Sequence, residues 1–289
     1  MSAMKLVCPN EAALLERIQN RTLCVRVKDT RDIVSSANAV RACNSLFCVI
    51  CDSEIPLEDI DAEQEWQSIP IALTVPSVGK FRNISGKLTA LKNLNLRVYI
   101  PCNNDNLTAA RVLSSLGIKT CIVFNENTTP DWEVLADFMT YALIGMAPHA
   151  PIDPFQTMAN AYRQGPRGED WRHVYFDDPS RYIHIDSIGR VALSHRELLA
   201  GDFVAENLSG LDSLEVRKAI ESRNKTWNKL FLDNHLCARC GGWKLCRGQF
   251  YAGKIRPDRC SEFFGEMTDV VEQYHEKSRS GKSGGKWQP

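Results

Sequence analysis

The sequence lacks an excess of charge of either sign, a long apolar run, and most of the short motifs by which enzymes are recognised. Lys and Arg together number 35, and so do Asp and Glu. No global basic field exists to condense on a phosphate backbone, which argues against a nucleic-acid partner. The apolar stretches are short, as in 46–51 (LFCVIC), far below the ~18–20 residues of a membrane span, so no membrane partner is expected. The first twenty residues, MSAMKLVCPNEAALLERIQN, carry acids and no apolar h-region; a cytoplasmic protein is expected. No G-x-S-x-G, Walker or G-x-G-x-x-G pattern occurs, the six His are scattered, and no internal repeat is present. With 44% hydrophobic residues, 24% charged, 17 Gly and 13 Pro, disordered and collagen-like chains are excluded.

Cysteine is what the sequence has in unusual number. The eleven stand at 8, 24, 43, 48, 51, 102, 121, 237, 240, 246 and 260. An odd count without a secretion signal argues against a disulfide framework. The first seven lie mostly inside apolar runs, where a thiol behaves as a small buried hydrophobe. The last four crowd into polar, glycine-containing sequence and are different in kind.

Two textures divide the chain. From about 20 to 145, strand patterns at 23–27, 46–51, 69–75, 96–101 and 120–124 alternate with helical ones. The helical stretches run through Ile33, Ala37 and Val40, through Ile84, Leu88 and Leu91, and over 107–116 and 131–143. Such alternation predicts βαβ units and a parallel sheet. The expected fold class is therefore α/β, a partial (β/α) barrel or open parallel sheet, since ~250 residues are needed for a complete eightfold barrel. Pro and Gly at 147–154 and 164–169 place a boundary there. This gives a β/α domain over 1–165 and a small cysteine-rich domain over 170–275. The Ser/Gly/Lys-rich stretch 276–289 reads as a disordered basic tail. Within the second part, 182–185 and 189–193 predict a hairpin around the turn 186–189, and 211–220 a helix.

The four late cysteines carry the chemistry. They read Cys237-Ala238-Arg239-Cys240, five residues to Cys246, then thirteen to Cys260. A C-x-x-C turn offers two thiolates to one centre, and the distant pair supplies the remaining corners of a tetrahedron. Zinc and a [4Fe-4S] cluster both accept such a set. Gly241, Gly242, Gly248 and Gly253 let backbone approach the sulfurs closely. Six bases (Arg239, Lys244, Arg247, Lys254, Arg256, Arg259) against one acid, Asp258, would offset the charge of the centre, and they read equally as a docking surface for an acidic partner or redox donor and as a plain solvated face.

C-x2-C-x5-C with a later Cys resembles the SPASM region, the auxiliary-cluster domain of many radical S-adenosylmethionine peptide-modifying enzymes. The approach is similar too: 183–191 (IHIDSIGRV) resembles that family's hairpin, and 206–208 (ENL) with 211–220 its following helix. The resemblance covers roughly 174–262. Ser194 and His195 stand where two-cluster members have a Cys, and Phe250 where a further Cys is found. What carries over is one auxiliary [4Fe-4S] cluster on Cys237, Cys240, Cys246 and Cys260. The C-x3-C-x2-C motif that binds the S-adenosylmethionine cluster is missing. Its nearest string, Cys43, Cys48 and Cys51, has four residues in the first gap, and a strand over 46–51 would turn Cys48 and Cys51 to opposite faces. The resemblance thus implies an accessory iron–sulfur protein, not catalytic by itself and not expected to bind S-adenosylmethionine. It would be the companion of a radical SAM maturase, as in GeoRSP-type systems, binding precursor peptide or maturase and relaying electrons. The alternatives are an active radical SAM enzyme on the atypical Cys43, Cys48, Cys51 spacing, or a structural zinc protein.

Polar residues gather where the predicted strands end: Asp29, Asp32, Asp52, Glu54, and those at 103–106 and 125–127. Ligands bind β/α folds at that edge, but these residue types are first of all helix caps and turn formers. Asp177-Asp178-Pro179-Ser180 is likewise a turn. His235 is a candidate neighbour of the metal, or an alternative ligand; His195 stands in place of the missing cysteine.

Overall fold

The computed structural model describes residues 4–124, 131–164, 171–247 and 257–279. Among them, strands β1 (Lys5–Pro9), β2 (Thr22–Val27), β3 (Ser45–Asp52), β4 (Ile71–Thr74) and β5 (Leu96–Pro101) are followed by β6 (Lys119–Val123), β7 (Ile152–Asp153), β8 (Tyr182–Ile185) and β9 (Val191–Ala192). They form one sheet of order β7-β6-β5-β4-β3-β2-β1-β8-β9. The β1–β2, β2–β3, β3–β4, β1–β8 and β6–β7 pairs are parallel, and β8–β9 is antiparallel. Helices α1 (Ala12–Arg17), α2 (Ile33–Cys43), α3 (Phe81–Ile84), α4 (Leu88–Lys92), α5 (Asn104–Ser115) and α6 (Trp132–Ile144) fall between the strands. They are followed by α7 (Phe155–Gln164), α8 (His195–Ala200), α9 (Leu214–Asn224), α10 (Thr226–Leu232), α11 (Trp243–Cys246) and α12 (Pro257–Arg279).

The expected α/β class is what forms, and the five anticipated strands are β2 to β6. The hairpin is β8–β9. Gly189, at φ +98°, closes its turn, and Asp186 Oδ1 accepts from the N–H groups of Ile188, Gly189 and Arg190 at 3.1, 2.9 and 2.8 Å. Among the elements that the sequence patterns do not announce are β1, α7 and α12. The last runs to Arg279, so 276–279 are its final turn rather than the start of a tail; 280–289 lie outside the described residues, as does the expected boundary at 165–170.

Contacts cluster into two compact units, each made of two stretches of chain. The first is Met1–Arg97 with Arg172–Thr226, the second Val98–Trp171 with Trp227–Pro289. In the first, parallel register sorts side chains cleanly onto two faces. One face takes Leu6 and Cys8, Leu23, Val25 and Val27, Val49 and Cys51, Leu73, Ile183 and Ile185, all buried. Helix α2, which buries Ile33, Ala37 and Val40, packs on β2 and β3 and needs such a surface. The opposite face is mixed: it carries Val7, Ile50 and Ala72 together with Lys5, Cys24, Arg26, Cys48, Asp52, Tyr182 and His184.

A bulge sets that second face. Leu23 pairs with Leu46, but Cys24 pairs with Cys48, so Phe47 is an extra residue in β3. Without it the parity of 48–52 would invert, and Cys51 would take the face that Asp52 now has.

In the second unit α12 packs along α6 and α7. Its apolar stripe, Phe263, Phe264, Met267 and Val271, is buried, with the ring of Phe263 5.4 Å from Trp132. His275, also buried, donates from Nε2 to the Ala159 carbonyl at 2.8 Å.

Candidate functional site

The four late cysteines occupy three short elements of the second unit. Cys237 lies in a 3-10 turn, Leu236–Arg239, and Cys240 follows it as the capping residue. Cys246 ends α11, and Cys260 falls in the first turn of α12. The turn, α11 and α12 pack on one another in all three combinations. What presses them together is Gly242: a Cβ built there would fall 2.1 Å from Phe264 Cβ and 3.0 Å from its backbone carbon. Only glycine lets the loop lie so close to α12. Gly241 beside it has nothing within 4 Å.

The local bonding serves the same arrangement. Cys240 N–H closes the turn onto the Cys237 carbonyl at 3.3 Å, Trp243 N–H follows onto Cys240 at 3.1 Å, and Cys246 N–H onto Gly242 at 3.0 Å. Cys240 Sγ lies 3.4 Å from Ser261 Oγ, next to Cys260. Trp171 Nε1 donates to the Cys246 carbonyl at 3.4 Å. Cys237, Cys246 and Cys260 are buried and Cys240 half-buried. Burial pushes the Cys237 thiol up, and the neighbouring Cys240 adds to it. His235 is a cap: its Nδ1 accepts the Cys237 N–H at 3.2 Å and so orients the turn.

The four cysteines thus stand on three mutually packed elements, with Gly242 seated against α12. Among the described residues, no group of three or more His, Cys, Asp or Glu side chains is closed to metal-ligand geometry. Of the basic collar, Arg239 and Lys244 are exposed and Arg247 half-buried. Arg239 Nη2 donates to Asn234 Oδ1 at 2.8 Å; Lys254 and Arg256 lie outside the described residues.

Cys43, Cys48 and Cys51 are not brought together. Cys43 is the exposed last residue of α2, and the other two are buried on opposite faces of β3. Eight residues of largely extended chain, roughly 26 Å at ~3.3 Å each, separate Cys43 from Cys51. Burial pushes the Cys51 thiol up to about 12, as it does Cys8 and Cys102. Cys48 and Cys51 are packing thiols.

At the strand ends, Asp29 and Asn103 are caps, accepting from Arg31 N–H and Asn106 N–H at 2.9 Å each. Asp178 accepts the Ser180 N–H at 2.9 Å, as a turn residue does. Residues 125–127 lie outside the described residues. Asp52 is different: it pairs with Arg26 of β2. Beyond β1, His184 of β8 donates from Nε2 to the Phe176 carbonyl at 2.9 Å, and the His195 ring stands 6.0 Å from it. Lys5 Nζ sits 4.6 Å from the centroid of Phe47 and 5.4 Å from that of Tyr182. Sequence reasoning named Asp52 and His195 but missed Arg26 and His184. The available signal was a charged residue at the core-facing parity of a strand otherwise read as buried.

No helix among the described residues is long and apolar enough to cross a membrane. No family model, curated protein or solved structure matches the chain.

Proposed function

We propose that this chain is an accessory protein of a peptide-modification (RiPP-type) system, holding one metal centre on Cys237, Cys240, Cys246 and Cys260. The observation that carries the proposal is the contact of Gly242 with Phe264, which draws the C-x-x-C turn, Cys246 and Cys260 into one packed corner. The SPASM-like spacing makes a [4Fe-4S] cluster the first choice, and zinc the alternative that the same four thiolates accept. A bound cluster would supply one-electron transfer; a bound zinc would only close the fold.

The chain's own residues do the rest. His235 fixes the turn, Gly242 sets the approach, and Trp171 holds the Cys246 backbone. Exposed Leu232 and Leu236, beside the bases Arg239 and Lys244, give the corner an apolar and positive rim. Such a rim suits an acidic precursor peptide or the matching surface of a radical SAM maturase. S-adenosylmethionine chemistry is left to that partner, because Cys43, Cys48 and Cys51 are dispersed.

The test is the iron, sulfide and zinc content of anaerobically purified full-length chain, with its visible spectrum. About four iron and four sulfide with broad absorption near ~400 nm supports the proposal. About one zinc and no visible band retains the site but removes the electron relay.

A further inference from the structure

The mixed face of the first unit ends in a polar cluster that the proposed metal centre does not use. Arg26, next to last in β2, gives Nη1 to the Asp52 carboxylate at the end of β3. Its Nε is buried and has no hydrogen-bond partner, whereas buried N–H groups are ordinarily satisfied. On the far side of β1, His184 and His195 complete the cluster. Burial, and then the Arg26 cation, hold His195 down at about 4; burial above all holds His184 at about 3. Both rings are therefore neutral near pH 7 and add no positive charge. The location matters as well. Strand order reverses at β1, whose neighbours are β2 and β8, and crevices open at the carboxyl ends of strands flanking such a reversal.

A guanidinium offers two edges. With Nη1 taken by Asp52, the Nε–Nη2 edge matches the two oxygens of a carboxylate side-on. The Asp52 charge alongside disfavours a dianion such as phosphate. We propose that Arg26, oriented by Asp52, binds the carboxylate of a small-molecule ligand at the carboxyl ends of β2 and β8, with His195 beside it. The site is independent of the metal centre and stands or falls separately.

Acetate and inorganic phosphate are the probes, titrated into the full chain with the Arg26 Nε–H and His195 ring signals followed by NMR. Acetate shifts both saturably, with a Kd in the millimolar range, and binds about fivefold or more tightly than phosphate. Arg26→Lys, which keeps the charge and loses the side-on fork, weakens acetate by about tenfold or more at the His195 signal. Asp52→Asn narrows the preference for acetate over phosphate. Acetate binding unchanged in Arg26→Lys, phosphate binding as tightly as acetate, an unaltered preference in Asp52→Asn, or no saturable shift would each overturn the proposal.

Discussion

Thiols occupy two settings in this chain, one on the strands of the sheet and one at the packed corner of the second unit. On the strands, Cys8, Cys24, Cys48 and Cys51 are buried among apolar neighbours or against one another. Burial raises Cys24 as it raises Cys8 and Cys51, so those three thiols stay protonated and inert. At the corner, the cysteines sit on a 3-10 turn and on helix ends that pack on one another. The same residue type thus serves as packing in one place and, under the function proposed above, as a donor set in the other. Regular β structure spreads thiols along extended chain. At the corner, the elements that carry them pack on one another.

The sharpest way to break this contrast is Gly242→Ala. The new methyl meets Phe264 at 2.1 Å and must push the loop off α12, costing about 3 kcal/mol or more. Bound metal is lost with it. Denaturant unfolding followed by circular dichroism measures the first effect, and metal analysis the second.

Serine in place of a strand thiol sharpens the contrast from the other side. Cys24→Ser puts a hydroxyl into a fully buried position and costs about 1–3 kcal/mol. It leaves the metal content unchanged, whereas Cys237→Ser or Cys260→Ser lowers metal content directly.

Histidines of the first unit supply a pH test that the corner does not share. His184 is held at about 3 against an ordinary 6.5. Between those values the unfolded chain binds a proton that the folded chain refuses. Stability is therefore full above about 6.5, falls as pH drops below it, and levels off near 3. The contribution of His184 is up to about 1.4 kcal/mol per pH unit. Urea unfolding at pH 7, 6 and 5 should show a shallower slope in His184→Gln than in the native chain, and equal slopes would contradict the assignment. Smallest of all is Gly241→Ala, whose added methyl has open space. It should change stability by no more than about 0.5 kcal/mol and leave metal binding intact.

Much of the sheet was legible because the alternation of strand and helix is local: β2 to β6 follow from short apolar runs separated by amphipathic stretches. β1 was not, since five residues, KLVCP, look no different from an unstructured lead-in. Helix α12 is written in the helical spacing of Phe263, Phe264, Met267 and Val271, but Gly265 inside that stripe weakens the signal. The C-x-x-C turn is a local feature and could be read directly. Its approach to Cys260 depends on the Gly242–Phe264 contact, which is tertiary. The Arg26 cluster depends on a bulge at Phe47 that nothing in SLFCVICD announces.

The central claim is that one set of thiols, and not the other, holds a metal. It is tested most directly by metal content in matched serine variants of the anaerobically purified chain, Cys237→Ser and Cys260→Ser against Cys24→Ser and Cys51→Ser. The account predicts that iron, or zinc, falls in the first pair and stays at the native ratio in the second. A native chain that carries neither metal, or equal losses in both pairs, would contradict it.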